Sequence, residues 1–88
     1  MNWKWYVYIL QCIDKSYYTG ITWQPNQRWT QHLNGLGSDY TQNHPPEKIV
    51  YLEEHNNLNE ARRRELQIKG WVREKKEKLI KGEWGKWQ

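Results

Sequence analysis

Residues 5–12 read Trp-Tyr-Val-Tyr-Ile-Leu-Gln-Cys, a run of aromatic, β-branched and aliphatic side chains interrupted by one glutamine. Such a run fits a strand buried on both faces. Residues 13–16, Ile-Asp-Lys-Ser, are turn-like, and residues 17–22, Tyr-Tyr-Thr-Gly-Ile-Thr, form a second short strand. The two strands are expected to pair as an antiparallel hairpin. Alternation puts Tyr6, Tyr8 and Leu10 on one face of the first strand, and Tyr18 and Gly20 on one face of the second. The chain has 88 residues, enough for one domain and one core. Apolar residues are 36% of it, below the roughly 45–50% usual for globular chains. Seven Trp and six Tyr, with no Phe, make an aromatic core the expectation, since each such ring buries roughly 150–250 Å².

Helices should follow the hairpin. Pro25 suits the first turn of a helix over residues 25–34, and Gly35 is placed to end it. Trp29, Leu33 and Leu36 fall at i, i+4 and i+7 and are expected to form its buried stripe; Arg28 and His32 share a neighbouring stripe. Residues 35–47 hold two glycines and Pro45-Pro46 and read as a long loop, of the kind that often carries function. Residues 48–54 are a third strand. Asn57 with Glu60 resembles a capping box opening a helix over residues 58–69. Gly70 interrupts the pattern, and a further helix is expected over residues 71–81. One domain over residues 1–82 is expected, with a loose tail at 83–88.

No stretch approaches the ~18 apolar residues of a membrane span, so no membrane association is expected. Residues 1–5, Met-Asn-Trp-Lys-Trp, make no signal peptide the expectation, and the single cysteine excludes an internal disulfide framework and a cysteine-rich zinc site. Both features suit a reducing cytoplasm. Charge is divided unevenly. Residues 1–61 hold four basic and six acidic side chains, a net of −2, whereas residues 62–88 hold ten and four, a net of +6. That asymmetry points to an anionic partner, with nucleic acid the first candidate. A solvated Lys/Glu-rich helix face would read the same way.

The informative residue is Glu65. Leu58, Ala61, Glu65, Ile68 and Val72 are spaced 3, 4, 3, 4, the inward stripe of an amphipathic helix. A carboxylate there is costly unless it is paired or binds a metal. A structural ion pair with Arg28 is the competing explanation. Arg28 and His32 on adjacent turns suit a phosphate, held by the guanidinium while the imidazole donates or shuttles a proton. Tyr8 and Tyr18 lie on neighbouring strands. A tyrosine acts as a general base only where positive charge lowers its pKa from about 10. Each of these residues taken alone is also compatible with core or surface. His44 and His55 lie in polar, loop-like contexts and receive no role. The chain contains no Gly-rich phosphate loop, CxxC or HExxH motif.

Together these residues resemble the GIY-YIG nuclease superfamily. Tyr6-Val7-Tyr8 and Tyr18-Thr19-Gly20 are similar to its two half-motifs, and Arg28, His32 and Glu65 follow in the superfamily's order and at closely matching spacing. The strings around them, Trp-Tyr-Val-Tyr-Ile-Leu-Gln-Cys, Tyr-Thr-Gly-Ile-Thr, Gly-Leu-Gly-Ser-Asp-Tyr-Thr and Glu-Ala-Arg-Arg-Arg-Glu, look like those of the small single-domain UPF0213-type members. The resemblance spans roughly residues 3–80. It implies an α+β fold, a three-stranded antiparallel sheet flanked by helices. It also implies hydrolysis of phosphodiester bonds with one divalent ion, Mg²⁺ or Mn²⁺, held by Glu65 and water. By the same resemblance Arg28 clamps the phosphate and His32 is an accessory acid/base or positioning group. Tyr8 and Tyr18 share the role of general base. The chain departs from the pattern at Tyr6, Val7 and Thr19, and Ile21 stands where some relatives carry a catalytic lysine.

The expected activity is endonucleolytic cleavage of nucleic acid, DNA ahead of RNA, with single-stranded or structured DNA a favoured form. Arg63, Lys69, Arg73, Lys75, Lys76 and Lys78 are the candidates for backbone contacts, and Trp23, Trp29 and Tyr40 for stacking. The alternative is a non-catalytic or weakly catalytic nucleic-acid-binding module, for RNA as well as DNA, that keeps the fold. No protein partner is inferred.

Overall fold

A computed structural model describes residues 3–82; the expected loose tail at 83–88 lies outside the described residues. The first strand, β1 (Trp5–Cys12), is central. It pairs antiparallel with β2 (Tyr17–Thr22) on one side and β3 (Pro46–His55) on the other. Among the described residues, four helices complete the α+β fold: α1 (Pro25–Leu33), α2 (Asp39–Asn43), α3 (Leu58–Lys69) and α4 (Arg73–Ile80). Among the described residues, no helix is long and apolar enough to cross a membrane.

The central place of β1 follows from its composition. Val7, Tyr8, Ile9 and Leu10 are all buried, which requires cover on both faces of the sheet. Val7 and Ile9 pack with Tyr51, Ala61, Ile68 and Leu79 beneath α3 and α4. Tyr8 and Leu10 face a cleft closed by Pro25, Arg28 and Trp29 of α1 and by Ile49 and Leu52 of β3. Strand β3 starts earlier than residue 48. Its Pro46 opposes Cys12 at the end of an edge strand, where a missing N–H costs no ladder bond. Register shifts between Ile9 and Leu10, and between Gln11 and Cys12, bend it.

Four expectations are corrected. Residues 35–47 are not only loop, because Ser38 caps the short helix α2 by accepting a hydrogen bond from Thr41 N. Leu33 and Leu36 are exposed, and the buried residue of α1 is His32. The helix turns its Arg28–His32 stripe inward because Tyr8 and Thr41 hydrogen-bond the imidazole and offset its burial. On α3, Ala61, Glu65 and Ile68 are buried, but Leu58 at its start and Val72 beyond its end are exposed. The capping box forms as read, with Asn57 Oδ1 accepting from Glu60 N at 2.9 Å. The helix ends at Gly70, and the next begins after Val72 rather than at residue 71.

Alternation along β3 places Glu53 beside Val7, on the α3 side of the sheet. The carboxylate is 2% exposed. It accepts from Tyr51 Oη at 2.5 Å and from Arg64 Nε at 3.1 Å, and it meets His55 Nε2 at 2.5 Å. The hydrogen bond to Glu53 and burial together push the Tyr51 phenol well up, burial being the larger cause. Removing one member of a buried ion pair leaves the other uncompensated. Arg64→Ala is therefore expected to cost about 3 kcal/mol of unfolding free energy, read as a lower urea midpoint. A cost under about 1 kcal/mol would show that Tyr51 and His55 suffice for Glu53.

Candidate active site

The hairpin brings Tyr8 and Tyr18 to one face, with ring centroids 6.2 Å apart. Gly20 lies directly across from Tyr8, and a Cβ there would come within 2.6 Å of the phenol ring. That strand position must stay bare for Tyr8 to lie over it. From α1, the His32 ring enters between the tyrosines, 5.7 Å from Tyr8 and 5.3 Å from Tyr18. Tyr40 of α2 stacks on Tyr18 at 5.9 Å, and His44 stacks on Tyr40 at 4.1 Å. His44 Nδ1 in turn lies 2.6 Å from Asp14 Oδ2, which ties the far end of this aromatic row to the hairpin turn.

One proton arrangement satisfies the hydrogen bonds at the centre. Arg28 Nε donates to Tyr8 Oη at 3.4 Å. The Tyr8 hydroxyl proton then goes to His32 Nε2, 2.9 Å away. The imidazole therefore carries its own proton on Nδ1, which donates to Thr41 Oγ1 at 2.8 Å. Thr41 Oγ1 passes its proton to the Ser38 carbonyl at 3.3 Å. Gly37 permits this approach, since a Cβ there would collide with the His32 ring.

The electrostatics follow from burial. His32 is 1% exposed, and desolvation first, then the Arg28 charge, lower its pKa to about 4. It is neutral at pH 7, fitting an acceptor that orients Tyr8 better than an acid. Tyr8 is pushed up to about 12 by burial, against the lowering influence of Arg28. The positive charge nearby thus does not by itself prepare Tyr8 as a base.

The His32 shift makes stability depend on pH. Between about pH 4 and 6.5 the unfolded chain binds a proton that the folded protein refuses, so stability rises with pH across that window. The contribution approaches about 3 kcal/mol and is lost progressively as pH falls from 6.5 to 4. Urea midpoints of the wild type and His32→Gln, compared from pH 4 to 8, should show the variant with the shallower dependence in this window. Parallel curves would mean that His32 takes up a proton in the fold as readily as in the unfolded chain.

Arg28 is held by Gln31 Oε1 at 3.0 Å and the Gly37 carbonyl at 2.6 Å, and it interacts with both Tyr8 and Tyr18. Among the described residues no carboxylate pairs with it, so the expected alternative of an Arg28–Glu65 ion pair is not what forms. Glu65 pairs instead with Lys69, Oε2 to Nζ 3.2 Å, one turn along α3. Its carboxylate is 6% exposed, and Oε1 is buried without a hydrogen-bond partner. Glu65 is close enough to Tyr8 to contribute to raising its pKa. A buried carboxylate oxygen with a free lone pair is a hard donor suited to Mg²⁺ or Mn²⁺. Among the described residues no three His, Cys, Asp or Glu side chains converge on one point. An ion on Glu65 would therefore complete its shell with water and phosphate oxygens.

The basic candidates separate into groups. Lys69, Arg73 and Lys76 lie near one another: burial, then Arg73 and Lys69, lower the Lys76 pKa. Arg73 also lies over the Tyr17 ring at 4.3 Å and bonds Glu77. Lys75 lies over Trp71, and Lys78 faces Glu74 at 3.9 Å. Arg63 lines a separate cleft with His55, Glu60, Arg64 and Gln67. Sequence reasoning missed Thr41 and His44, and the signal for the first was the Ser38-Asp-Tyr-Thr41 cap.

Comparison with known proteins shows the family. The GIY-YIG catalytic domain family matches residues 4–78. The UPF0213 protein CPE1444 of Clostridium perfringens is 47% identical over 75 residues, 85% of this chain and 81% of that protein. A UPF0213 protein of Staphylococcus epidermidis is 42% identical over 77 residues, 88% of this chain and 94% of that one. Among solved structures, the solution NMR structure of the UPF0213 protein BH0048 of Bacillus halodurans has a TM-score of 0.58 and 38% identity. It covers 89% of this chain and 83% of its own.

Proposed function

Because the chain belongs to the GIY-YIG family, among its UPF0213-type members, we propose that it is a divalent-metal-dependent endonuclease that hydrolyses phosphodiester bonds in DNA. The observation that carries this reading is the buried, unpartnered Oε1 of Glu65 beside the Tyr8–Tyr18–Arg28–His32 cluster. GIY-YIG nucleases generally use divalent metal ions. Bound at Glu65, Mg²⁺ or Mn²⁺ would supply a Lewis acid that activates water and neutralises charge on the leaving oxygen.

The protein's own residues do the rest. Arg28, with no carboxylate partner among the described residues, binds the scissile phosphate and is worth most as negative charge builds on its oxygens. Tyr8 holds its proton toward His32 and turns its lone pairs toward Arg28, where it can accept a hydrogen bond from the attacking water. Tyr18, across the cleft, shares that role. His32 stays neutral and keeps the Tyr8 hydroxyl oriented. Lys69, Arg73 and Lys76 attract the flanking backbone.

The test is incubation of the protein with single- and double-stranded DNA and with RNA, each with Mg²⁺, Mn²⁺ or EDTA. Metal-dependent cleavage of DNA, fastest on single-stranded or structured strands, is expected. Binding without cleavage of any substrate would replace this reading with a non-catalytic nucleic-acid-binding module.

A further inference from the structure

Two indoles stand exposed at one end of the sheet. Trp3 is 55% and Trp23 41% exposed. Their rings pack edge to face with centroids 4.6 Å apart, which fixes both while leaving indole face open to solvent. With Trp5 they line an apolar recess of about 380 Å³. Trp23 is held at the β2–α1 turn, where Gln24 N donates to Thr22 Oγ1 at 3.0 Å.

This recess shares two of its walls with a groove that reaches Arg28 of the candidate active site. Trp5 and Trp23 also line a second groove of about 260 Å³, whose other walls include Gln24, Gln27, Arg28 and Gln31. Among the described residues, Arg28 is the only charged one lining that groove. Gln31 is engaged by Arg28, whereas no side-chain hydrogen bond is formed by the Gln24 or Gln27 amides among the described residues. The groove thus offers a guanidinium, neutral amides that can both donate and accept, and aromatic faces.

That combination of groups matches a nucleotide. We propose that Trp23, with Trp3 and Trp5, forms a subsite for one unpaired nucleobase next to the phosphate held by Arg28, with Gln24 and Gln27 facing the base edge. A purely apolar ligand fits less well, because it would leave the amides unpaired. Stacking tolerates any base, so the subsite favours unpaired strand rather than a particular sequence. The inference rests on the reading of Arg28 as a phosphate-binding residue.

The test is fluorescence anisotropy in EDTA with labelled deoxythymidine and uridine oligomers and with an abasic phosphate oligomer of equal length. The wild type is expected to bind the base-bearing strands about 5- to 150-fold more tightly than the abasic one. Trp23→Ala should remove most of that preference and leave abasic binding unchanged; Trp23→Phe, which keeps a ring, should retain most of it. The deoxy and ribo arms name the strand, and a preference in either supports the subsite. No preference in the wild type, or an equal loss on all three oligomers in Trp23→Ala, would overturn it. So would a wild-type dimer in sedimentation that Trp23→Ala dissociates, since the patch would then be an interface between copies. Base preference without cleavage when Mg²⁺ or Mn²⁺ is added would sink the nuclease reading alone. Cleavage without base preference would sink the subsite alone.

Discussion

Glu65→Gln is expected to abolish metal-dependent cleavage while leaving the fold as stable as the wild type or about 1 kcal/mol more so. The two effects have one cause. The carboxylate is buried, its Oε1 has no partner, and its single ion pair is to Lys69, whose own side chain is largely solvated. A charge held this way is a poor structural element, because desolvation outweighs one pairing to an exposed ammonium. It is a good metal ligand for the same reason. The glutamine keeps the shape and loses the charge. Binding of DNA in EDTA should be nearly unchanged, since the Lys69–Arg73–Lys76 surface remains. Thermal midpoints and anisotropy read these effects side by side. A fall in stability of several kcal/mol would make the Glu65–Lys69 pair structural instead.

Arg28→Ala should lower the single-turnover cleavage rate by about 100- to 1000-fold, with only a few-fold loss of affinity. The guanidinium is already oriented by Gln31 and the Gly37 carbonyl, and its charge meets no carboxylate among the described residues. Its value therefore rises with the charge that develops on the phosphate. Arg28→Lys keeps the charge without the planar fork and should fall between the two. An equal loss of rate and affinity would reduce Arg28 to an ordinary backbone contact.

Glu65 was legible because it breaks an apolar 3-4-3-4 stripe, a local pattern that needs no knowledge of the fold. The hairpin was legible for a similar reason: residues 5–12 can hardly be anything but a covered strand. His32 was not, because what makes its burial tolerable is Tyr8, 24 residues earlier, and Thr41, nine residues later. Leu33 and Leu36 therefore looked like the inward face of α1, although the polar stripe is the one that turns in. The Glu53 network was missed although period-2 alternation carried the signal: Tyr51, Glu53 and His55 share a face, and Tyr51 is core. A carboxylate on that face needed a partner, and Arg64 lies on the helix that covers it. Trp23 was legible as a stacking candidate, but Trp3 was not, because their pairing joins two segments that sequence distance separates.

The most direct measurement is single-turnover cleavage of a labelled single-stranded DNA across a Mg²⁺ titration, for the wild type and folded Glu65→Gln in parallel. The wild-type rate should rise from zero in EDTA and saturate as one ion binds, and the variant should stay flat throughout. Cleavage that persists in EDTA, or a Glu65→Gln curve that overlays the wild type, would contradict a metal-dependent centre built on Glu65.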